Sequence, residues 1–241
     1  MNSITIKNLN KKFEIEVKPK NFLHKLKKKL IGKEIKREIL VNKDVNIDIK
    51  HGEIIGIVGP NSAGKSTLFR LISKIYQPTN GFIEVNGKIV SLIGLKRGLR
   101  EELSMIDNIL FFGCLFGMTR KEMKKRLDSI IEGSKLESFS ETKIKNFSEG
   151  MKERLILSIA FNTEFDILLL DEVFSSIDEE FLDKNFEVIR NFKKKNKTIL
   201  ITSHNLEIIK RYCDKVIWFD KGEIKKVSGI EIVEEYKNER K

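Results

Sequence analysis

The sequence predicts an α/β fold built on a mainly parallel β-sheet. Three observations carry that expectation. Unbroken apolar runs of strand length, Ile54 to Val58, Ile167 to Leu170 and Thr198 to Thr202, suit strands covered on both faces. Helical patterns separate them, the alternation that crossover connections impose. The chain has 241 residues, 40% hydrophobic and 34% charged, enough for a sizeable core and too apolar for bulk disorder.

The elements follow in order. Met1 to Leu9 alternates apolar and polar residues and reads as a strand, not as the basic-then-apolar pattern of a signal peptide. Ile54 to Val58 is a buried strand. Phe82 to Val85, Asn86-Gly87 and Lys88 to Val90 are expected to form a hairpin, because Asn-Gly suits a tight two-residue turn. Leu103 to Met118 is the most apolar window, but Asp107 and Asn108 interrupt it and it falls short of the roughly 20 residues a membrane helix needs. It belongs to a helical stretch, Ser104 to Glu137. A second hairpin is expected from Val216 to Phe219, Asp220-Lys221-Gly222 and Glu223-Ile224. Residues 228–241 form a charged helical tail.

Composition narrows the chemistry. Two cysteines, Cys114 and Cys213, exclude a disulfide scaffold and a Cys-rich zinc site, and fit a reducing compartment. Three prolines and 15 glycines exclude fibrous classes. The net charge of +11 leaves nucleic acid, an anionic membrane or phosphate-bearing ligands as candidate partners.

The motifs choose among these. Gly59, Pro60, Asn61, Ser62, Ala63, Gly64, Lys65, Ser66 and Thr67 match GxxxxGK(S/T), after a strand and before a helix. Such a loop turns backbone N–H groups toward phosphate oxygens, and the following helix adds its positive dipole end. Lys65 would reach the β- and γ-phosphates, and Ser66 would offer its hydroxyl to Mg²⁺. The strand Ile167 to Leu170 ends in Asp171 and Glu172, at the end where ligands bind in parallel sheets. Asp171 is placed to hold Mg²⁺ through water, and Glu172 to orient or deprotonate the attacking water. His204 follows the third strand in Ser203-His204-Asn205 and is a candidate γ-phosphate contact.

Asn146-Phe147-Ser148-Glu149-Gly150-Met151-Lys152 opens a further helix. Here the sequence resembles the nucleotide-binding subunits of ABC transporters, whose signature carries Ser and Gly at the positions of Ser148 and Gly150. The family order of phosphate loop, signature, acidic strand, D-loop and switch histidine appears here at Lys65, Ser148, Asp171, Asp178 and His204, and spans Ile4 to about Gly229. The resemblance implies an ATPase cassette, with a RecA-like parallel core, an antiparallel β subdomain and an α-helical signature subdomain at about 95–160, all in one domain of 1–241. It implies ATP and Mg²⁺ as cofactors. It also implies a homodimer that sandwiches two ATPs, each site combining one chain's phosphate loop with the other's signature. Phe13 is its candidate adenine-stacking aromatic.

The subgroup it resembles exports polysaccharides, O-antigens and teichoic acids. Met151, the run Asp171 to Phe181, and Leu95 to Ile109 carry that likeness. It implies separate transmembrane permease subunits facing Leu95 to Met118, and a peripheral place on the cytoplasmic face of the inner membrane. Another ABC exporter, a soluble ABC-type ATPase on nucleic acid or ribosomes, and a cassette without hydrolysis are the alternatives. The single cassette and the full set of Lys65, Asp171, Glu172 and His204 weigh against the last two.

Three positions depart from the family pattern. Gly94 stands where a Gln or Glu normally senses the metal and the membrane partner. Ser62 replaces a common Gly and requires a negative φ. Glu149 brings a carboxylate into the signature and is expected to point outward, away from the triphosphate.

The charge is local. Residues 18–38 hold nine Lys or Arg and two Glu, +7 of the chain's +11. Phe22, Leu26 and Leu30 recur every four positions, with Leu23 and Ile31 alongside, so a helix here has an apolar stripe and a basic face. Such helices lie on anionic membrane surfaces. The expected contacts of this insertion are the membrane surface and an anionic lipid-linked glycan, with no nucleic acid.

Overall fold

The computed structural model of the chain describes residues 1–16, 36–94 and 98–239. Its strands are β1 (Asn2–Glu16), β2 (Lys36–Lys50), β3 (Ile54–Val58), β4 (Asn80–Val85), β5 (Ile89–Ser91), β6 (Ile167–Asp171), β7 (Thr198–Thr202), β8 (Lys215–Asp220) and β9 (Glu223–Ser228). Its α-helices are α1 (Lys65–Ile72), α2 (Met105–Leu115), α3 (Arg120–Ser134), α4 (Glu149–Phe161), α5 (Glu179–Lys194), α6 (Leu206–Tyr212) and α7 (Ile232–Glu239). The order β2-β1-β4 makes an antiparallel sheet, and β5-β6-β7-β3-β8-β9 makes the larger one. In the latter every pairing from β5 to β8 is parallel and only β8–β9 is antiparallel.

The period-2 alternation of a strand sorts the core into two layers. Ile55, Ile57, Leu169, Leu200 and Ile217 face the antiparallel sheet and α1. Ile54, Val58, Leu168, Leu170, Ile199 and Ile201 face the helices. Each such side chain fully removed from water contributes about 1.5–3 kcal/mol, which holds the sheet between its two covers. Short polar side chains set the helix starts. Ser104 caps α2, Thr119 and Glu122 form a reciprocal capping box on α3, Ser148 caps α4 and Asp178 caps α5.

The first predicted hairpin does not form. Phe82 to Val85 pairs with β1 in the antiparallel sheet, while Ile89 to Ser91 pairs with β6 in the other. Two existing strand edges outcompete a local turn. Asn86 Nδ2 donates to Asn2 O at 3.1 Å, and Lys88 N–H donates to Asp166 Oδ2 at 2.8 Å. That backbone bond, helped by the Lys197 ammonium, holds the Asp166 carboxyl below the usual carboxylate range.

Residues 36–38 also differ from expectation. Lys36, Arg37 and Glu38 lie in β2, opposite Glu16, Ile15 and Glu14, not in an amphipathic helix. Cross-strand pairing and the Lys36–Glu14 ion pair at 2.8 Å favour the extended form there. The rest of the predicted insertion, from residue 18 to 35, lies outside the described residues. Among the described residues no helix is long and apolar enough to cross a membrane.

Candidate functional site

The carboxyl ends of β3, β6 and β7 open on one cleft of about 380 Å³, lined by residues 61–67, Ile39 and Val41 of β2, Glu172 and His204. The loop 59–64 joins β3 to α1. Gly64 sits at φ +105 as the residue before α1, and a Cβ there would lie 2.8 Å from Val41 O, so only glycine fits. Two bonds from elsewhere brace the loop. Gly222 N–H donates to Ala63 O at 2.9 Å, and the buried Asn42 Nδ2 donates to Gly64 O at 3.3 Å. Neither brace was legible as a site residue. A polar side chain at an inward position of β2 is the one signal Asn42 offers.

Ser62 corrects the sequence reading, for its φ is +66 rather than negative. The turn demands the left-handed region, and Ser accepts it at a cost of about 1 kcal/mol. Ser62→Gly is expected to stabilise the fold by about 0.5–1 kcal/mol in urea unfolding, and a loss of stability would contradict that strain.

Lys65 is buried, and its Nζ donates to Gly59 O at 2.7 Å and Pro60 O at 3.0 Å. Ser66 Oγ donates to Asp171 Oδ1 at 3.2 Å. Glu172 stands at φ +56, a strained conformation for a long side chain. Its Oε2 accepts from His204 N–H at 3.1 Å, and its Oε1 is buried without a hydrogen bond, 3.4 Å from His204 Nε2. The structure thus brings Lys65, Ser66, Asp171, Glu172 and His204 together from three separate stretches of chain.

The donor set suits Mg²⁺ in company with a triphosphate. Ser66 Oγ and Asp171 are adjacent hard oxygens, and no cluster of three acids, His or Cys occurs among the described residues. Mg²⁺ takes one or two protein ligands and fills its octahedron with water and phosphate.

Ser148, Gly150 and Asp178 do not line this cleft. Ser148 is exposed and accepts from Met151 N–H at 3.2 Å, which starts α4. Glu149 is exposed and paired with Lys152 at 3.2 Å. A Cβ on Gly150 would lie 2.5 Å from Ser176 O, so α4 rests directly on the loop that follows Glu172. Glu153, 1% exposed, accepts from Ser175 Oγ at 2.9 Å and Ser176 N–H at 2.8 Å. Asp178 accepts from Phe181 N–H at 2.9 Å and lies 3.7 Å from Arg154. Glu153 was missed, because a Glu inside a helical pattern reads as solvated.

Phe13 does not line the cleft. Its ring meets Tyr76 edge-on at 5.3 Å, while its cross-strand neighbour Ile39 lines the cleft. Gly94 has φ +66 and open space around it, so no side chain takes the sensing role there. Cys213 packs against Gly56, and burial pushes its thiol up, which removes it as a nucleophile. A larger cleft of about 520 Å³ opens beside Lys88, Thr163 and Lys197, at the amino ends of β5, β6 and β7. Ion pairs Lys197–Asp166 at 3.0 Å and Arg126–Glu164 at 3.7 Å take up four of its charged groups, and parallel sheets bind ligands at the other end.

The chain is similar to known proteins in sequence and shape. A family model described as ABC transporter matches residues 42–175. The "O-antigen export system ATP-binding protein RfbB" of Myxococcus xanthus is 36% identical over 98% of this chain and 56% of its own length. The "Teichoic acids export ATP-binding protein TagH" of Lactococcus lactis is 39% identical over 90% of this chain and 46% of its own length. The TagH of Staphylococcus haemolyticus is 37% identical over 96% and 86%. The chain therefore spans about half the length of the first two relatives. A solved "ATP binding subunit of ABC transporter" superposes with a TM-score of 0.75 at 22% identity, covering 98% of this chain and 93% of that one. A dimeric ATP-binding cassette bound to ADP and Pi gives 0.75 at 21%, covering 94% and 98%. At these identities the two structures speak for the fold.

Proposed function

The chain belongs to the ABC transporter family, and from that premise we propose that it is the ATP-hydrolysing subunit of an exporter of lipid-linked polysaccharide, of O-antigen or teichoic acid kind. The convergence of Lys65, Ser66, Glu172 and His204 on one cleft, with Asp171 bonded to Ser66 behind it, carries the ATPase reading. The printed names of relatives 36–39% identical support the cargo class.

The residues divide the work. Backbone N–H groups of residues 61–67 and the amino end of α1 bind the phosphates. Lys65 exchanges its carbonyl partners for phosphate oxygens. Ser66 and Asp171 would hold Mg²⁺, which when bound neutralises charge between the β- and γ-phosphates. Glu172 orients the attacking water and accepts its proton, and His204, tethered to Glu172, donates toward the γ-phosphate. Ser148 is exposed and neither it nor Gly150 lines the chain's own cleft, which supports a second copy as the source of the signature at each site. Ile39 and Val41 of β2 form the apolar side of the cleft, the surface available to the base.

Membrane partners have a matching surface. Leu110 and Leu115 on α2 expose 37% and 60% of their surface, and Leu103, just before the helix, exposes 40%. A groove of about 480 Å³ adjoins Leu115, with Ile75 and Phe116 also among its walls. Exposed large apolar side chains beside an apolar groove suit a protein contact, and we assign this face to the permease. The subunit then sits peripherally, on the cytoplasmic side of the membrane.

The basic segment tests the cargo reading. Lys27→Glu, Lys28→Glu and Lys29→Glu together are expected to reduce export at least about tenfold, since each cation near an anionic surface contributes about 1 kcal/mol. ATPase activity of the isolated subunit should stay within about twofold, because Lys65, Ser66, Asp171, Glu172 and His204 are unchanged. Unchanged glycan export in cells carrying the triple variant would refute the membrane contact. Identifying the glycolipid that co-purifies with the permease complex tests the cargo itself.

A further inference from the structure

We propose that Thr202 is a positioning residue for hydrolysis, its hydroxyl linking the metal-holding Asp171 to the base Glu172. The inference rests on the ATPase reading of the cleft and adds a residue to it. Thr202 ends β7, directly opposite Asp171 on β6 and beside Ile57 on β3. It is fully buried, behind the apolar run Ile199-Leu200-Ile201. A hydroxyl in such a place is unfavourable unless both its donor and its acceptor capacity are used. Here both are used, and both on the acid pair. Thr202 Oγ donates to Asp171 Oδ1 at 2.7 Å, the same oxygen that Ser66 meets at 3.2 Å. Glu172 N–H donates to Thr202 Oγ at 3.2 Å and also to Thr202 O at 3.2 Å.

This arrangement does two things. It fixes the Asp171 carboxylate from the protein side, so that orientation does not depend on Ser66, whose hydroxyl is needed elsewhere once a metal arrives. It also pins the backbone of Glu172 at φ +56, a conformation that persists only where surrounding bonds over-determine it. The His204 N–H bond to Glu172 Oε2 completes the restraint from the same strand end. Thr202 is fully buried and does not line the cleft, so its effect passes through the two acids.

Thr202→Val keeps shape and β-branching and removes only the hydroxyl, whereas Thr202→Ser keeps the hydroxyl and removes a methyl. In the full chain, Thr202→Val is expected to lower kcat about tenfold, the rate equivalent of one lost hydrogen bond. Half-saturating Mg²⁺ should rise about threefold to fivefold, since an Asp171 freed to rotate holds the ion less well. KM for ATP should move less than about twofold, because residues 59–67 are untouched. Thr202→Ser should return kcat and Mg²⁺ dependence to within about threefold of the parent, even if the lost methyl lowers its melting temperature. Parental kcat and Mg²⁺ dependence in Thr202→Val would overturn the proposal. So would a Thr202→Ser variant as impaired as Thr202→Val, which would trace the effect to packing. Absence of ATPase activity in the parent chain would instead strike the reading of the cleft.

Discussion

Glu172→Gln is expected to reduce ATP turnover at least ~100-fold and to leave a nucleotide-bound pair of chains that survives size-exclusion chromatography. The substitution preserves volume. The new side chain can still accept from His204 N–H, so the strained turn at Glu172 keeps its tether. What it loses is the capacity to take a proton from water, which positioned carboxylates supply at about 10²–10⁴-fold in rate. Binding is left intact because Lys65 and the loop amides do not depend on Glu172. Phosphate release and chromatography with and without ATP measure the two halves. Turnover within about threefold of the parent would remove Glu172 from the role of base.

Gly150→Ala is expected to lower turnover by about 10–100-fold while nucleotide affinity of the single chain stays within about twofold. The added Cβ would lie 2.5 Å from Ser176 O, a backbone atom that cannot rotate aside. Either α4 or the 175–178 loop must shift by a substantial fraction of an ångström, and misplacement of about 1 Å is enough for a hundredfold loss. The cleft at residues 61–67 does not touch this contact, so its affinity for a fluorescent ATP analogue reports on it separately. Equal loss of affinity and turnover would mean that the change spreads through the fold instead.

Much of this molecule could be read from residue patterns. The strands Ile54–Val58, Ile167–Asp171 and Thr198–Thr202 are central and parallel, and between their ends only apolar residues and Gly56 occur, which suits burial on both faces. The phosphate loop and the acid pair were legible because their chemistry demands fixed spacings. Other features were not. The Asn86-Gly87 turn obeys local chemistry, yet the edges of β1 and β6 decide where its flanks go. Ser62 shows no sign of its positive φ, since residue identity alone does not carry a backbone angle. Lys36 to Glu38 continued a helical charge pattern until a facing strand claimed them. Asn42, Glu153 and Thr202 act only through partners 22 to 31 residues away in sequence, a kind of relation that periodicity never encodes.

The bonds that Lys65 makes within its own loop bear on how nucleotide enters. With Gly59 O and Pro60 O already accepting from its ammonium, arrival of ATP is a swap of acceptors, not the filling of a bare charge. Affinity then reflects the difference between phosphate and carbonyl as acceptors, which is smaller than the gross strength of either bond. The same swap makes release reversible: two carbonyls wait to reclaim the lysine as product leaves. A loop that keeps its own lysine occupied holds its shape between turnovers, and the departing ADP leaves behind a ready-folded seat.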